Sequence, residues 1–263
     1  MKKQDILQEI LANKRFEIDL QKRSISLKQL QNTRINKEKS FSMRDSISQK
    51  QAGIIAEFKR RSPSKGWIKQ DAEIGAIIPE YQKAGAAALS ILTDEKYFGG
   101  NLSDIKKARS LTTLPILRKD FIIDEYQLYQ AKIVGADAIL LIAAALEIEN
   151  CIELTYKAHE LGLEVLLEIH HEGEFEYIIP ETDMVGVNNR NLGSFYTDIE
   201  NSFTLAGRLP KNTVLVSESG ISDSNTVCRL QTAGYKGFLI GETFMRTENP
   251  GNTLRDFIAA IEK

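Results

Sequence analysis

Five short apolar runs of this chain end in side chains that carry a charge or can move a proton. Ile54–Lys59 brings Glu57 and Lys59, two positions apart and so on one side of an extended strand. Pro115–Lys119 ends in Lys119, Leu163–Glu168 in Glu168, Met184–Asn188 in Asn188 with Arg190 just beyond, and Val214–Glu218 in Glu218. An unpaired buried charge is expensive, so ordinary buried strands are poor in such residues. Any one of them is read equally well as half of a structural ion pair. Two lysines and three carboxylates on strand ends point instead to one acid–base site, because mutual proximity shifts proton affinities.

A second set of residues suits an anion. Val214–Glu218 runs into Ser219-Gly220, and the run Gly237–Gly241 into Glu242. Small residues leave backbone N–H groups open to a phosphate, and either pair alone is weak evidence, since Gly also ends strands for steric reasons. Other conspicuous residues carry plain alternatives. His170 and His171 follow Glu168, but with three histidines in the chain a multi-histidine metal centre is hard to assemble, and a surface or supporting role is expected. Trp67 either stacks on a ring or covers loop backbone. Phe98 and Phe121 either line an aromatic pocket or pack their loops. Cys151 and Cys228 are read as fillers on helices.

The elements that position these residues follow a repeating pattern. β-rich runs at Ile54–Lys59, Ala88–Thr93, Pro115–Lys119, Ala138–Ile142, Leu163–Glu168, Met184–Asn188, Val214–Glu218 and Gly237–Gly241 recur every 21 to 34 residues. Helical stretches lie between them, such as Ala72–Lys83, Ser103–Leu111, Glu147–Leu161 and Ser222–Gln231. Gly85, Gly135 and Gly234 each stand where a helix ends shortly before a strand, a place suited to the left-handed conformation. Near-continuously apolar strands alternating with helices predict a parallel sheet covered by helices. No Gly-x-Gly-x-x-Gly follows the first strand, which removes the main support for an open dinucleotide-binding sheet. Eight units predict an α/β fold, the closed (β/α)8 barrel, whose active sites lie at the C-terminal ends of the strands.

Ahead of the barrel the chain has another character. The first Gly is Gly53 and the first Pro is Pro63, while Ile6, Leu7, Ile10 and Leu11 are spaced as on an amphipathic helix. A second short helix is expected around Leu27 and Leu30. Residues 1–50 are therefore read as a helical extension and residues 51–263 as the barrel, one domain overall. Residues 1–45 hold 11 Lys and Arg against 6 Asp and Glu, whereas the 263-residue chain has a net charge of −2. The interleaved acids favour solvated helix faces over a nucleic-acid surface, and opposed charge gives the basic arm a reason to dock on the acidic barrel. The longest apolar run, Ala138 to Leu146, is far too short for a membrane helix, and the basic N-terminus has no apolar signal region after it. With two cysteines and no zinc spacing, a cytoplasmic enzyme without metal or cofactor, acting on a small phosphorylated compound, is expected.

The motifs narrow this reading. Ile55-Ala-Glu57-Phe-Lys59-Arg-Arg-Ser62-Pro63-Ser64-Lys-Gly66 resembles the signature of the indole-3-glycerol phosphate synthase family. The likeness continues through Leu92-Thr-Asp-Glu-Lys-Tyr-Phe98-Gly-Gly100, Pro115-Ile-Leu-Arg-Lys119-Asp-Phe121 and Leu166-Leu-Glu168-Ile-His170. It closes with Val185-Gly-Val-Asn188-Asn-Arg190-Asn-Leu192, Val216-Ser-Glu218-Ser219-Gly220-Ile221 and Gly237-Phe-Leu-Ile-Gly241-Glu242. The first motif is specific; the last two are shared with other phosphate-binding barrels. Lys65 and Thr243 stand where the family varies.

The resemblance implies a (β/α)8 barrel with an N-terminal extension and a cofactor-free ring closure. In that reaction the anthranilate ring carbon of 1-(2-carboxyphenylamino)-1-deoxyribulose 5-phosphate attacks the ribulose carbonyl. Carbon dioxide and then water leave, giving indole-3-glycerol phosphate on the route to tryptophan. By position Lys119 is similar to the family's general acid, with Lys59 as second lysine, Glu168 as the base assisting dehydration and Glu57 orienting Lys59. Asn188, Arg190 and Glu218 match polar positioning groups. Ser219, Gly220, Gly241 and Glu242 match the phosphate positions, the last mainly through backbone, and Ser62, Phe98 and Phe121 the anthranilate end. No metal, nucleic acid, membrane or obligate protein partner is implied. The loop Arg61–Lys69 is expected to close over substrate, and the arm to cover the same mouth. Three rivals stand beside this reading: another phosphate-binding barrel of amino-acid biosynthesis such as phosphoribosylanthranilate isomerase, a Schiff-base aldolase using Lys119, and an inactive scaffold barrel.

Overall fold

The computed structural model describes residues 6–33, 41–191, 193 and 196–263. Residues 1–5 and 34–40 of the expected arm and Leu192 of the quoted motif lie outside the described residues. Among these, eight parallel strands close into a barrel: β1 Gly53–Phe58, β2 Ala88–Leu92, β3 Ile116–Lys119, β4 Ala138–Ile142, β5 Glu164–Ile169, β6 Met184–Asn188, β7 Val214–Glu218 and β8 Gly237–Ile240. Each pairs with its sequence neighbours, and β8 closes on β1 through Gly53↔Gly237. Lys59, Thr93 and Gly241 fall one residue past the strands expected to contain them.

Helices α1 Ile6–Ser24, α2 Leu27–Gln31 and α3 Met43–Ser48 precede β1. The outer layer is α4 Ile74–Lys83, α5 Leu102–Arg109, α6 Glu125–Val134, α7 Ile148–Glu160, α8 Glu200–Ala206, α9 Ser224–Thr232 and α10 Pro250–Ile261. After β5 the expected helix is replaced by the 3-10 segment Glu172–Tyr177, in a link that also holds Gly173 and Pro180, both poor helix formers. Gly85, Gly135 and Gly234 take the expected positive φ, at 97°, 93° and 108°. Helix starts are capped from the sequence: Asp124 accepts from the Tyr126 N–H and Asp223 from the Thr226 N–H.

Strand alternation explains how both faces of the sheet are buried. Ile54, Ala56 and Phe58, with Ile139, Leu141, Val165, Leu167, Val185 and Val187, pack outward against the helices. The opposite parity, Ile55, Leu117, Ala138, Leu140, Leu166, Met184, Val216 and Leu239, fills the barrel interior. The same interior parity, continued toward the C-terminal ends, reaches Glu57, Lys119, Glu168, Asn188 and Glu218. Register levels them: Leu92↔Lys119, Ile142↔Glu168 and Asn188↔Glu218 are paired Cα partners. Apolar side chains fill the lower interior and polar ones its top.

The arm seals the interior at both ends. Met43 and Ile47 of α3 are fully buried in the interior cluster, while Leu7, Ile10 and Leu11 of α1 join it from the other end. Hydrogen bonds anchor α3 to strand starts: the Glu164 carboxylate accepts from Ser42 Oγ and from the Met43 and Arg44 N–H groups, and Asp137 from the Phe41 N–H. At the C-terminal end, Lys14 Nζ lies 2.8 Å from Asp94 and 3.0 Å from Asp120, and Lys22 Nζ 2.6 Å from Asp124. The expected docking by opposed charge is thus found in specific ion pairs. Lys14 belongs to the α1 face that buries Leu7, Ile10, Leu11 and Ile18, the one cation on that stripe.

Candidate active site

A cavity of about 550 Å³ opens at the C-terminal ends of the strands, where the barrel topology places it. Its polar wall is the interior parity of the strands. Lys119 Nζ lies 3.0 Å from Glu168 Oε2 and 3.4 Å from Glu218 Oε2. Across from them Lys59 Nζ donates to Glu57 Oε1 at 2.5 Å. Glu57, Glu168 and Glu218 are buried, so these groups interact in a medium that screens them weakly.

Their proton affinities diverge for that reason. Burial by itself would lower Lys119, but Glu168, Glu218 and Glu57 outweigh it and hold the ammonium well above the usual lysine range. Burial pushes Glu168 up, yet Lys119, His170 and an Asn188 hydrogen bond together hold it down at about 2. Burial also pushes Glu218 up, Glu168 and Glu57 add to it, and Lys119 only partly opposes, leaving it at about 8. One ammonium shared by two carboxylates therefore moves their proton affinities apart, Glu168 downward and Glu218 upward, the separation that acid–base sites require.

Glycines make room for these carboxylates. A Cβ on Gly186 would stand 2.2 Å from Glu218 Oε1, and one on Gly241 2.2 Å from Glu57 Oε1. Gly241 thus serves the site sterically, as the space into which Glu57 folds.

The other end of the cavity is built from loops. Ser219, at φ 67°, is the one non-glycine residue with positive φ among the described residues, and Gly220 follows at 82°. Consecutive residues in this region turn backbone N–H groups toward a common point, a geometry that suits anions. Thr243 Oγ1 donates to the Ile221 carbonyl at 2.8 Å, tying the loops after β7 and β8 together. The Glu242 carboxylate lies 3.9 Å from both Lys65 Nζ and Arg190. Arg190 Nε also donates to Thr197 Oγ1 at 3.2 Å, and its N–H to Asn188 Oδ1 at 2.9 Å.

Aromatic rings form a third wall. The Phe98 and Phe121 centroids are 6.1 Å apart, and both residues line the cavity. Trp67 is half exposed and lies against Gly99 and under Arg61, so it covers loop backbone. The expected loop Arg61–Lys69 holds a small hairpin, Arg61–Ser62 paired with Gly66–Trp67. Ser62 is buried in it, and its neighbours Pro63, Ser64 and Lys65 line the cavity in its place.

Apart from Ser62, every residue singled out from the sequence as a site candidate lines this cavity: Glu57, Lys59, Phe98, Lys119, Phe121, Glu168, Asn188, Arg190, Glu218, Ser219, Gly220, Gly241 and Glu242. Strand-end reasoning passed over Asp94 and Asp120, although they follow Thr93 and Lys119 directly and the same rule would have found them. Arg246 also lines the cavity and carried no signal, because it lies in a short turn after the last strand. Among the described residues no group of three or more His, Cys, Asp or Glu side chains is arranged to hold a metal ion. Cys151 is buried and Cys228 exposed, both as free thiols.

A (β/α)8 barrel with a charged acid–base cluster and anion-suited loops at one mouth defines the class, a barrel enzyme. The sequence pattern of the indole-3-glycerol phosphate synthase family matches residues 7–257, and the chain belongs to that family. It is 66% identical to the indole-3-glycerol phosphate synthase of Bacteroides thetaiotaomicron over 98% of this chain and 99% of that one. It is 46% identical to that of Neisseria meningitidis over 93% of this chain and 96% of the other. The fold is similar to 3-hexulose-6-phosphate synthase from Salmonella typhimurium, at TM-score 0.64 and 13% identity, over 80% of this chain and 98% of that one. It is also similar to a chain of the tryptophan synthase complex from Pyrococcus furiosus, at TM-score 0.57 and 15% identity, over 80% of this chain and 97% of that one.

Proposed function

We propose that the chain converts 1-(2-carboxyphenylamino)-1-deoxyribulose 5-phosphate to indole-3-glycerol phosphate, with loss of carbon dioxide and water, and that the cavity residues divide the work as follows. Lys119 protonates the ribulose carbonyl oxygen as the ring carbon bearing the carboxylate attacks the carbonyl carbon. Loss of carbon dioxide restores the aromatic ring. Glu168 then takes a proton from the new five-membered ring, while Lys59 protonates the hydroxyl, which leaves as water. Lys59, held by Glu57, is the second cation, and Asn188, Arg190 and Glu218 position the hydroxyl-bearing chain. Ser219, Gly220, Gly241 and Glu242 receive the phosphate by their backbone, and Phe98 and Phe121 flank the anthranilate ring, with Ser62 acting through its hairpin.

The observation that carries this division is Lys119 between Glu168 and Glu218 on the cavity wall. An ammonium so placed stabilises charge developing on a carbonyl oxygen. It also argues against the Schiff-base alternative, which needs a neutral amine, because two carboxylates keep Lys119 charged. An inactive scaffold has no use for buried charges left open to a cavity.

The arm belongs to the same domain as the barrel in this reading, since Leu7, Ile10 and Leu11 share the interior core. Among the described residues no helix is long and apolar enough to cross a membrane. We place the enzyme in the cytoplasm, acting on its small phosphorylated substrate without metal, cofactor, nucleic acid or obligate protein partner. Mixing the purified chain with the carboxyphenylamino substrate should produce indole fluorescence without additions. No product, with no metal or nucleotide restoring it, would overturn the assignment. Borohydride trapping of Lys119 with substrate would favour the aldolase reading.

A further inference from the structure

Glu168 has two oxygens, and the proposed chemistry uses the surroundings of only one. Oε2 faces Lys119 on the cavity side. Oε1 faces away from Lys119 toward His170, whose Nε2 lies 3.4 Å off, and whose side chain is mostly buried. On the far side of the ring, Nδ1 is 3.6 Å from Glu174 Oε2. Both ring nitrogens are buried, and neither has a hydrogen-bond partner at normal geometry. His170 does not line the cavity.

The backbone around the ring is fixed independently. Glu174 Oε2 accepts from the His170 N–H at 2.5 Å, and Asn201 donates to the His170 carbonyl at 3.0 Å. The imidazole is therefore held between two carboxylates, one belonging to the site and one behind it.

We infer that His170 is a positioning residue for Glu168: as an imidazolium backed by Glu174, it keeps Glu168 ionised and aimed at substrate while Lys119 gives its own proton away. This rests on the reading of Lys119 as acid and Glu168 as base. When Lys119 protonates the carbonyl oxygen it becomes a neutral amine, and Glu168 loses its front cation. The carboxylate then has one compensating charge left, at His170. No bond to His170 forms or breaks, and its proton stays on the ring.

The groups facing the imidazole are Glu168 on its own strand, Glu174 and exposed His171 on the following segment, Glu218 from β7, and Lys119 beyond Glu168. The carboxylates outnumber the cations, and although burial alone would lower His170, Glu174 and Glu168 hold it above the usual histidine value. Glu174 is held correspondingly low, burial being outweighed by His170.

The test compares His170→Asn, Glu174→Gln and Glu168→Gln with the unaltered chain by pH profiles of kcat and KM, and by NMR titration of the imidazole. The unaltered chain should show a kcat inflection matching the His170 titration above the ordinary histidine value. Glu174→Gln should move both to lower pH and leave the acid-side plateau in place. His170→Asn should lack that inflection, with kcat down about tenfold at pH 7 and KM little changed. If Glu168→Gln abolishes turnover while His170→Asn keeps the full kcat and profile, the inference is wrong and the base assignment stands. If Glu168→Gln keeps its turnover, the base assignment itself fails. Should His170→Asn fold poorly, the Glu174→Gln profile decides: an unmoved inflection overturns the inference.

Discussion

Two lysines stand among carboxylates at the same end of the barrel, Lys14 with three and Lys119 with two, and they are put to different ends. Lys14, from α1, has Glu17, Asp94 and Asp120 at 2.9, 2.8 and 3.0 Å, and does not line the cavity. Lys119, from β3, has Glu168 and Glu218 at 3.0 and 3.4 Å, and stands on the cavity wall. Around Lys14 further donors add to the compensation: Thr93 Oγ1 and Arg118 both donate to Asp120, and the Tyr97 N–H donates to Asp94. Each cluster keeps one buried carboxylate oxygen without a hydrogen-bond partner, Asp94 Oδ2 beside Lys14 and Glu218 Oε1 beside Lys119. The Lys14 cluster joins two parts of the chain; the Lys119 cluster sets its ammonium on the cavity wall, where it is available for chemistry.

The comparison breaks most directly at the two ammonium groups. Lys119→Ala should lower kcat about a thousandfold, equivalent to about 4 kcal/mol, with substrate affinity largely kept, because its effect belongs to the transition state. Indole fluorescence measures it. Lys14→Met should do the reverse, destabilising the chain by about 3 kcal/mol in urea titration, since buried Asp94 loses its cation and Asp120 keeps only Arg118. The triple variant with Asp94→Asn and Asp120→Asn should recover most of that loss. A Lys14→Met chain of normal stability and lost turnover would erase the distinction.

pH separates the clusters in opposite directions. Glu218 is raised from the usual 4.5 to about 8, burial being the first cause, so between those values the folded chain holds a proton that the unfolded chain has released. Its contribution to stability is complete below pH 4.5 and declines as pH rises to about 8. Asp120 is lowered from 3.8 to about 2, since Lys14 and Arg118 outweigh the effect of burial. Its contribution is present above pH 3.8 and lost as pH falls through about 2. Glu218→Gln should therefore raise Tm more at pH 9 than at pH 5, and Asp120→Asn should lower it more at pH 6 than at pH 2. The smallest effect belongs to the phosphate loop. Gly220, at φ 82°, would carry a Cβ 2.9 Å from Thr197 Cγ2, so Gly220→Ala should cost about 1 kcal/mol of stability and raise KM several-fold with kcat nearly unchanged.

Much of the active cluster was legible because a parallel barrel turns strand parity into position. Glu57, Lys119, Glu168 and Glu218 are strand-end residues of interior parity, and the polarity of those ends showed in the runs themselves. Lys14 was not legible in the same way. Helical spacing put Leu7, Ile10 and Leu11 on the buried stripe, and Lys14 continues it, but nothing local says which barrel loop that stripe meets. For His170 a surface or supporting role was expected with no partner named, since Glu174 reaches it through a 3-10 turn that stands where a helix was expected. Ser62 was assigned by motif position, and hairpin pairing turned it away from the cavity.

The sequence by itself determined the alternation of strand and helix, the number of units and the side chains that end each strand, because these follow from local periodicity and from the price of burying charge. Tertiary structure alone decided which carboxylate each lysine meets, and hence that the proton affinity of Glu168 is held down while that of Glu218 is pushed up. Those outcomes depend on groups brought together from strands far apart in sequence, Lys119 and Asn188 around Glu168, and Glu57 and Glu168 around Glu218, in a medium that screens them weakly.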